Sequence, residues 1–249
     1  MAIVIRTAKE IAKMRRSGFA LRNVLDVLRN SIAPGMTTMD LEKIAEAKIA
    51  EAGAVSAFKG YHDYPCVLCT SVNEEVVHGI PSAKRTLQEG DVVSIDCGLI
   101  IDGYYADSAT TLPVGKISAP AQKLLDATEQ SLQAAISVVR PGATLGDVGA
   151  AVQEVVEAAG FSVVRDFVGH GIGTEMHEEP QVPNYGRKAQ GLRLRQGMVL
   201  AIEPMVNAGG HAVRVLEDGW TAVTVDGSLS AHFEHTIAVG ADGAEVLTA

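Results

Sequence analysis

Apolar residues at Ile11, Met14, Phe19, Leu21, Val24, Leu25 and Leu28 recur at mixed spacings of three and four, which predicts a helix over residues 7–31. Pro34-Gly35 stops it. A second helix, capped by Thr38 or Asp40, runs through Ala52 and ends at Gly53, where a left-handed C-terminal cap suits glycine. The same grammar returns later. A helix from about Ala119 to Val139 meets Pro141-Gly142, and another from about Leu145 to Ala159 ends at Gly160. Strand-like segments follow each pair of helices, so the expected order is ααβββ, twice. The clearest strands lie within 91–112, where Val92, Val93, Ile95, Leu99, Ile100 and Ile101 lead to Asp102-Gly103 and then Tyr104 through Leu112. Asp-Gly between two such runs predicts a tight hairpin.

The two halves align with each other at an offset of 107 residues, with Pro34-Gly35-Met36-Thr37 on Pro141-Gly142-Ala143-Thr144 and Asp40-Leu41 on Asp147-Val148. The register continues through Gly53 and Gly160, Leu87 and Leu194, Gly90 and Gly197, Val92 and Val199, and Ile95 and Ile202, until Asp96 falls on Glu203. A duplicated half whose equivalent strands each end in an acid can build a site shared across a pseudo-twofold axis.

If Asp102 and Gly103 form the hairpin loop, Asp96 faces Ala109 and Asp107 faces Gly98. Both aspartates then share one face as diagonal neighbours roughly 7–8 Å apart, while Cys97 points to the other face as a packing residue. In the second half the register with Asp107 falls at Arg214, whereas the candidate partner acid Glu234 lies 20 residues later. The extra residues include Gly209-Gly210, Asp218-Gly219 and Trp220, and predict a loop or strand over the site.

With 249 residues, 47% apolar content and no low-complexity run, the chain reads as one compact domain with halves of about 7–114 and 115–249. Its net charge of -9 argues against broad binding to nucleic acid or anionic membrane. No signal-peptide core or membrane-length apolar run is present, so the expected location is the cytoplasm. Three cysteines, Cys66, Cys69 and Cys97, are too few for a secreted disulfide framework. Cys66 and Cys69 have redox or half-zinc spacing, but there is no second pair and packing is the better reading.

Asp96, Asp107, His170, Glu203 and Glu234 form an oxygen-rich donor set suited to Mn²⁺, Fe²⁺ or Co²⁺. Two ions fit better than one, because a single divalent ion rarely needs four acids, whereas a pair roughly 3.5–4 Å apart needs bridging carboxylates. Surface ion pairing is the alternative for any Asp or Glu, but Asp96, Glu203 and Glu234 lie next to apolar strands, where unpaired charge is costly. His170 lies in Val168-Gly169-His170-Gly171-Ile172-Gly173, whose glycines let the backbone run close to a ligand. His78 and His177, by themselves, fit a structural role as well as a functional one, and His211 and His232 read as loop residues without assignment.

The chain resembles the type I methionine aminopeptidases over nearly its whole length, through Gly60-Tyr61-His62, Ser71-Val72-Asn73-Glu74, Val77-His78-Gly79-Ile80-Pro81, Gly169-His170-Gly171-Ile172-Gly173, His177-Glu178-Glu179-Pro180 and Ile202-Glu203-Pro204. The resemblance implies an α+β pita-bread (creatinase/aminopeptidase) fold, with pseudo-twofold duplicated ααβββ halves around a curved antiparallel sheet. It implies two divalent ions, with Asp96 chelating one, Asp107 and Glu234 bridging, and His170 with Glu203 on the second. It further implies that His78 and His177 hold the substrate, His177 near the scissile carbonyl, and that Glu203 relays the proton as hydroxide attacks. The substrate expected is a nascent polypeptide or peptide beginning with methionine before a small residue. Its methionine pocket would be lined by Phe58, Tyr61, Tyr64, Cys69 and Trp220, with His62 as a further substrate contact. Met176, Asp63 and Cys66 depart from the usual pattern and bear on fine specificity.

A proline-directed relative, prolidase or aminopeptidase P, is the enzymatic alternative. Such enzymes usually carry an extra N-terminal domain, for which the repeat's start near residue 7 leaves no room. A non-catalytic pita-bread module binding nucleic acid or the ribosome is the other alternative, and the complete ligand set and acidic charge oppose it. Lys9, Lys13, Arg15, Arg16 and Arg22 read as a solvated helix face and as the candidate surface for a transient ribosome contact. The spacing of 33 residues from His170 to Glu203 and the absence of an N-terminal zinc-binding extension predict the minimal bacterial-like form, a monomer.

Overall fold

The computed structural model describes residues 3–249. Its first half runs α1 (Ala8–Ser31), α2 (Thr38–Glu51), β1 (Val55–Ser56), a 3-10 turn at Tyr61–Asp63, β2 (Leu68–Val72), β3 (Glu75–Val77), β4 (Val92–Ile101) and β5 (Tyr104–Pro113). The second runs α3 (Ala119–Val138), α4 (Leu145–Ala158), β6 (Ser162–Val163), β7 (Gly169–Gly171), β8 (Glu178–Val182), β9 (Val199–Ile202), β10 (Met205–Asn207), β11 (Val213–Val215), β12 (Ala222–Thr224), β13 (Ser230–His232), β14 (His235–Val239) and β15 (Ala244–Val246). The helices follow the expected bounds within a residue or two and β4 and β5 fill the expected hairpin, but the strands are more numerous than three per half.

The repeat is visible in local chemistry. Thr37, rather than Thr38 or Asp40, caps α2, and Asp40 returns its carboxylate to the Thr37 backbone; Thr144 and Asp147 form the same capping box on α4. Isolated bridges join Thr37 to Thr86 and Thr144 to Arg193, again at the offset of the repeat. Gly53 and Gly160 close these two helices with φ of 65° and 85°, a region in which a side chain would be strained.

Strand pairing is antiparallel throughout, in the orders β1-β4-β2 with β5 on β4, β15-β14-β9-β7-β8, β13-β10-β6 and β11-β12-β3. One face is covered by helices: α1 and α2 bury Leu21, Leu28 and Leu41 against Ile95, Cys97 and Leu99, while α3 and α4 bury Leu124, Leu132 and Val152 against Leu200, Ile202 and Ile237. Cys97 therefore lies on the packed face, as its place in the hairpin predicts.

The β4–β5 hairpin has the expected register, with Asp96 opposite Ala109 and Asp107 opposite Gly98, and both loop residues take positive φ, 51° at Asp102 and 78° at Gly103. Its counterpart is broken in two. Ile202 pairs with His235, and beyond Glu203-Pro204 the same register resumes with Met205 opposite His232. Proline has no N–H for the ladder, so the strand parts there. Since Ile95 pairs with Thr110 and its equivalent Ile202 pairs with His235, the return strands are offset by 125 residues against 107 for the outgoing ones, an insertion of 18. The counterpart of Asp107 is thus His232, and Glu234 matches Ala109. The expected equivalence of Glu234 with Asp107 is corrected, and so is the reading of His232 as a loop residue.

The halves meet along β5 and β13–β14 through hydroxyls instead of a regular ladder. Thr111 Oγ1 donates to His232 O at 2.8 Å and accepts from His232 N at 2.8 Å. Its counterpart Thr236 donates to Asp107 O at 2.8 Å and accepts from Asp107 N at 3.0 Å. Thr111→Val or Thr236→Val keeps the shape but strands two buried backbone groups. Each is expected to lower unfolding stability by about 1–3 kcal/mol in urea denaturation, and an unchanged midpoint and slope would remove this seam from the stability account.

Candidate metal centre

Asp96, Asp107, His170, Glu203 and Glu234 all line one cavity on the face of the sheet away from the helices. Alternation along β4 and β5 aims both aspartates the same way. Glu203 and Glu234 face each other between the two pieces of the second hairpin, at the positions that match Asp96 and Ala109 and so on the same face of the sheet. His170 is delivered by β7, opposite Ala201. The flanking glycines permit this approach: a Cβ on Gly169 would overlap Ala201 O, and one on Gly171 would overlap Glu179 O. His170 Nδ1 lies 2.9 Å from Gly171 O. As the donor in that bond, it leaves Nε2 as the acceptor facing the cavity.

Glu203 Oε1 lies 3.5 Å from His170 Nε2, and Oε2 lies 3.8 Å from His232 Nε2. Asp107, His170 and Glu234 each offer a donor atom within 4.8 Å of the others'. Burial raises the pKa of all four carboxyls. Neighbouring acids add to it: Glu234 and Asp96 on Asp107, Asp107 and Asp96 on Glu203, and Glu203 and Asp96 on Glu234. Burial, with His177 beside it, lowers His170 to about 3, so its imidazole is neutral.

No lysine or arginine lines the cavity to compensate these acids. Asp96 Oδ1, Asp107 Oδ1 and Glu234 Oε1 are buried without a hydrogen-bond partner. Converging unpartnered carboxylate oxygens and one imidazole lone pair fit a divalent cation of the hard to borderline kind.

Beside the acids the cavity becomes apolar. Phe58, Tyr64, Cys69, Met176 and Trp220 belong to one cluster, with Tyr64 and Trp220 edge to face at 5.0 Å. Tyr64 is fixed by its hydroxyl, which donates to Leu68 O at 2.9 Å and Gly79 O at 3.2 Å. Tyr61 Oη lies 2.7 Å from His177 Nδ1, and the His177 ring stands 4.4 Å from that of His170. His78, held with φ of 62°, packs edge-on against Phe167 and Trp220, and burial lowers its pKa to about 4. The 18-residue insertion forms the β11–β12 hairpin, which pairs with β3 and carries Trp220 over the cavity.

His62 stands apart: it is exposed, packs on Tyr61 at 4.4 Å between ring centres, and lines none of the cavity. His232, Met205 and Phe167 line it without having been picked out in the sequence. For His232 a signal existed, since counting the insertion as 18 puts it on Asp107.

The chain matches the model of metallopeptidase family M24 over residues 12–241. It is 48% identical over 246 residues to a methionine aminopeptidase of Clostridium acetobutylicum, covering 99% of this chain and 98% of that one. The crystal structure of methionine aminopeptidase from Rickettsia prowazekii superposes with a TM-score of 0.98 at 42% identity, covering 100% of both chains. A prolidase from Pyrococcus furiosus, with a TM-score of 0.80 at 22% identity over 99% of this chain and 65% of that one, shares the pita-bread fold. Agreement from end to end in sequence and fold, around a cavity whose acids could hold a metal ion, makes this chain a member of metallopeptidase family M24, among its methionine aminopeptidases.

Proposed function

We propose that this protein is a metal-dependent hydrolase that removes the N-terminal methionine from nascent proteins and peptides whose second residue is small. The observation that carries the reading is the junction in one cavity of an uncompensated acidic cluster with an aromatic, sulfur-lined slot. The names of the relatives that match over full length support it. The working unit is a monomeric, cytoplasmic, single catalytic domain, its halves of about 7–114 and 115–249 meeting at the cluster. None of its described helices is long and apolar enough to cross a membrane. Ribosome contact finds less support, because Arg15, Arg16 and Arg22 on α1 are already paired with Glu245, Asp102 and Asp26.

Two divalent ions, Co²⁺, Mn²⁺ or Fe²⁺, would be held by Asp96, Asp107, His170, Glu203 and Glu234. Such ions supply Lewis acidity and a hydroxide nucleophile at neutral pH. The chain supplies the rest. Phe58, Tyr61, Tyr64, Cys69 and Trp220, joined by Met176, take the methionine side chain, an apolar thioether that suits aromatic and sulfur neighbours. With the Tyr61 hydroxyl donating to His177 Nδ1, the Nε2–H of His177 is free to donate to the scissile carbonyl oxygen. Burial, then His62, lowers the His177 pKa, so this donor is a neutral imidazole. His78 holds the substrate from the other side. Glu203, buried and raised in pKa, takes a proton and delivers it to the leaving amine.

Glu203→Gln is expected to lower kcat on Met-Ala-Ser by about 10²–10⁴-fold, and His170→Ala to abolish turnover across a titration of each metal. Undiminished turnover in either variant sinks this assignment. Preferred cleavage of Xaa-Pro peptides by the wild-type enzyme would move it to the proline-directed branch. Metal dependence can be read without turnover. The raised carboxyl pKa values carry no penalty below the ordinary carboxylate range, where both folded and unfolded states are protonated. The penalty grows towards neutral pH, where the unfolded chain ionises and the buried cluster resists. Metal-stripped protein is therefore expected to lose stability between pH 5 and 7. Mn²⁺ at about 100 times its Kd should restore roughly 5–10 °C of Tm at pH 7 and release protons, measured by calorimetry in buffers of different ionisation enthalpy.

A further inference from the structure

Residues 3–7, ahead of α1, form an arm laid across the second half of the molecule. Arg6 N donates to Gly197 O at 2.7 Å, and a Cβ on Gly197 would overlap the Arg6 carbonyl, so arm and turn touch backbone to backbone. From there the Arg6 side chain turns inward. It is the one arginine buried among the described residues, at 7% exposure.

A buried guanidinium needs a carboxylate, and this one meets two: Nη2 donates to Glu178, and Nη1 lies 3.8 Å from Glu10 at the start of α1. The same Glu178 oxygen accepts from Thr174 N at 2.8 Å and Glu175 N at 3.2 Å, so it ties off the turn that begins at Gly173. The guanidinium also lies directly against Gly173, where a Cβ would overlap it. The turn is pinned on its other side by Tyr105 N donating to Gly173 O at 2.8 Å. Its far end carries Met176 and His177 into the cavity. Without Arg6, Glu178 would lose the cation that holds it inward and could swing to solvent, which releases the two amide N–H groups that fix the turn.

We propose that Arg6 is a positioning residue for His177, its guanidinium acting through Glu178 and Gly173 to set where the imidazole stands over the substrate. The proposal rests on the function proposed above, and wild-type turnover of Met-Ala-Ser checks that reading separately. Arg6→Ala is expected to lower kcat about 10–100-fold with little change in KM, as a small misplacement of a reacting group does. Arg6→Lys, which keeps the charge, recovers most of the loss. In a His177→Ala background Arg6→Ala has no further effect beyond twofold, because what it positions is gone. Gly173→Ala, which displaces the guanidinium while retaining it, reproduces the loss and serves if Arg6→Ala does not fold. In metal-stripped protein the His177 ring ¹⁵N and ¹H resonances, reporting its bond to Tyr61, should shift in Arg6→Ala and Gly173→Ala while those of His235 stay. A fall in Tm with unchanged kcat and unchanged His177 resonances overturns the proposal, as does an equal loss from Arg6→Ala in both backgrounds.

Discussion

Four carboxylates lining one cavity repel one another, and no lysine or arginine among the described residues answers them there. Such a cluster is tolerable only in a frame that stays rigid with the acids neutral or cation-bound, since ionised and uncompensated they would drive the walls apart. The frame answers this in two ways. Strong local caps and the helix-covered cores hold each half together independently of the cavity. Where the halves meet, short hydroxyl bridges from Thr111 and Thr236 tie down the backbone of the very positions that face the acids.

Much of this frame was legible in the sequence, because it is local. Capping boxes, glycine helix ends and an Asp-Gly hairpin are decided within a few residues, so α1 to α4 and the β4–β5 register followed from spacing alone. The offset that pairs Asp96 with Glu203 survives as real structural equivalence for the same reason. Five ligand candidates from distant segments share one cavity because strands of fixed register bring them there. The part that was not legible depends on non-local pairing. The second hairpin parts at Glu203-Pro204, and its return strand resumes only after the β11–β12 excursion, whose length no local rule fixes. Miscounting that insertion by two residues kept the same strand face but exchanged Glu234 for His232 as the counterpart of Asp107. His62 shows a different limit, since a left-handed residue with φ of 45° beside Tyr61 is exposed and lines none of the pocket that its neighbour lines.

The corrected register changes how the symmetry is understood. The twofold relation governs helices, caps and the outgoing strands, but the donors on the return strands do not obey it: Asp107 matches His232, and Glu234 matches Ala109. An intact ladder at Ala109 allows a side chain to point only up or down. Ala109 lies opposite Asp96 and two residues from Asp107, so alternation already turns the matching Glu234, like Glu203, towards the cavity, and the two glutamates face each other beside the break at Pro204.

The same break separates the two duties of the cavity. The first half contributes most of the apolar slot, from Phe58, Tyr61, Tyr64 and Cys69, together with the paired aspartates. The second contributes His170 on a glycine-flanked strand, His177 on a turn held from beneath, and Trp220 on an inserted hairpin that pairs back onto β3. A duplicated frame thus supplies rigidity where charges must be confined, and departures from the duplication make the two walls of the cavity unlike, so that a chain end is admitted on one side only. Strict symmetry would place an identical acid pair opposite the first and leave neither wall for a side chain to enter.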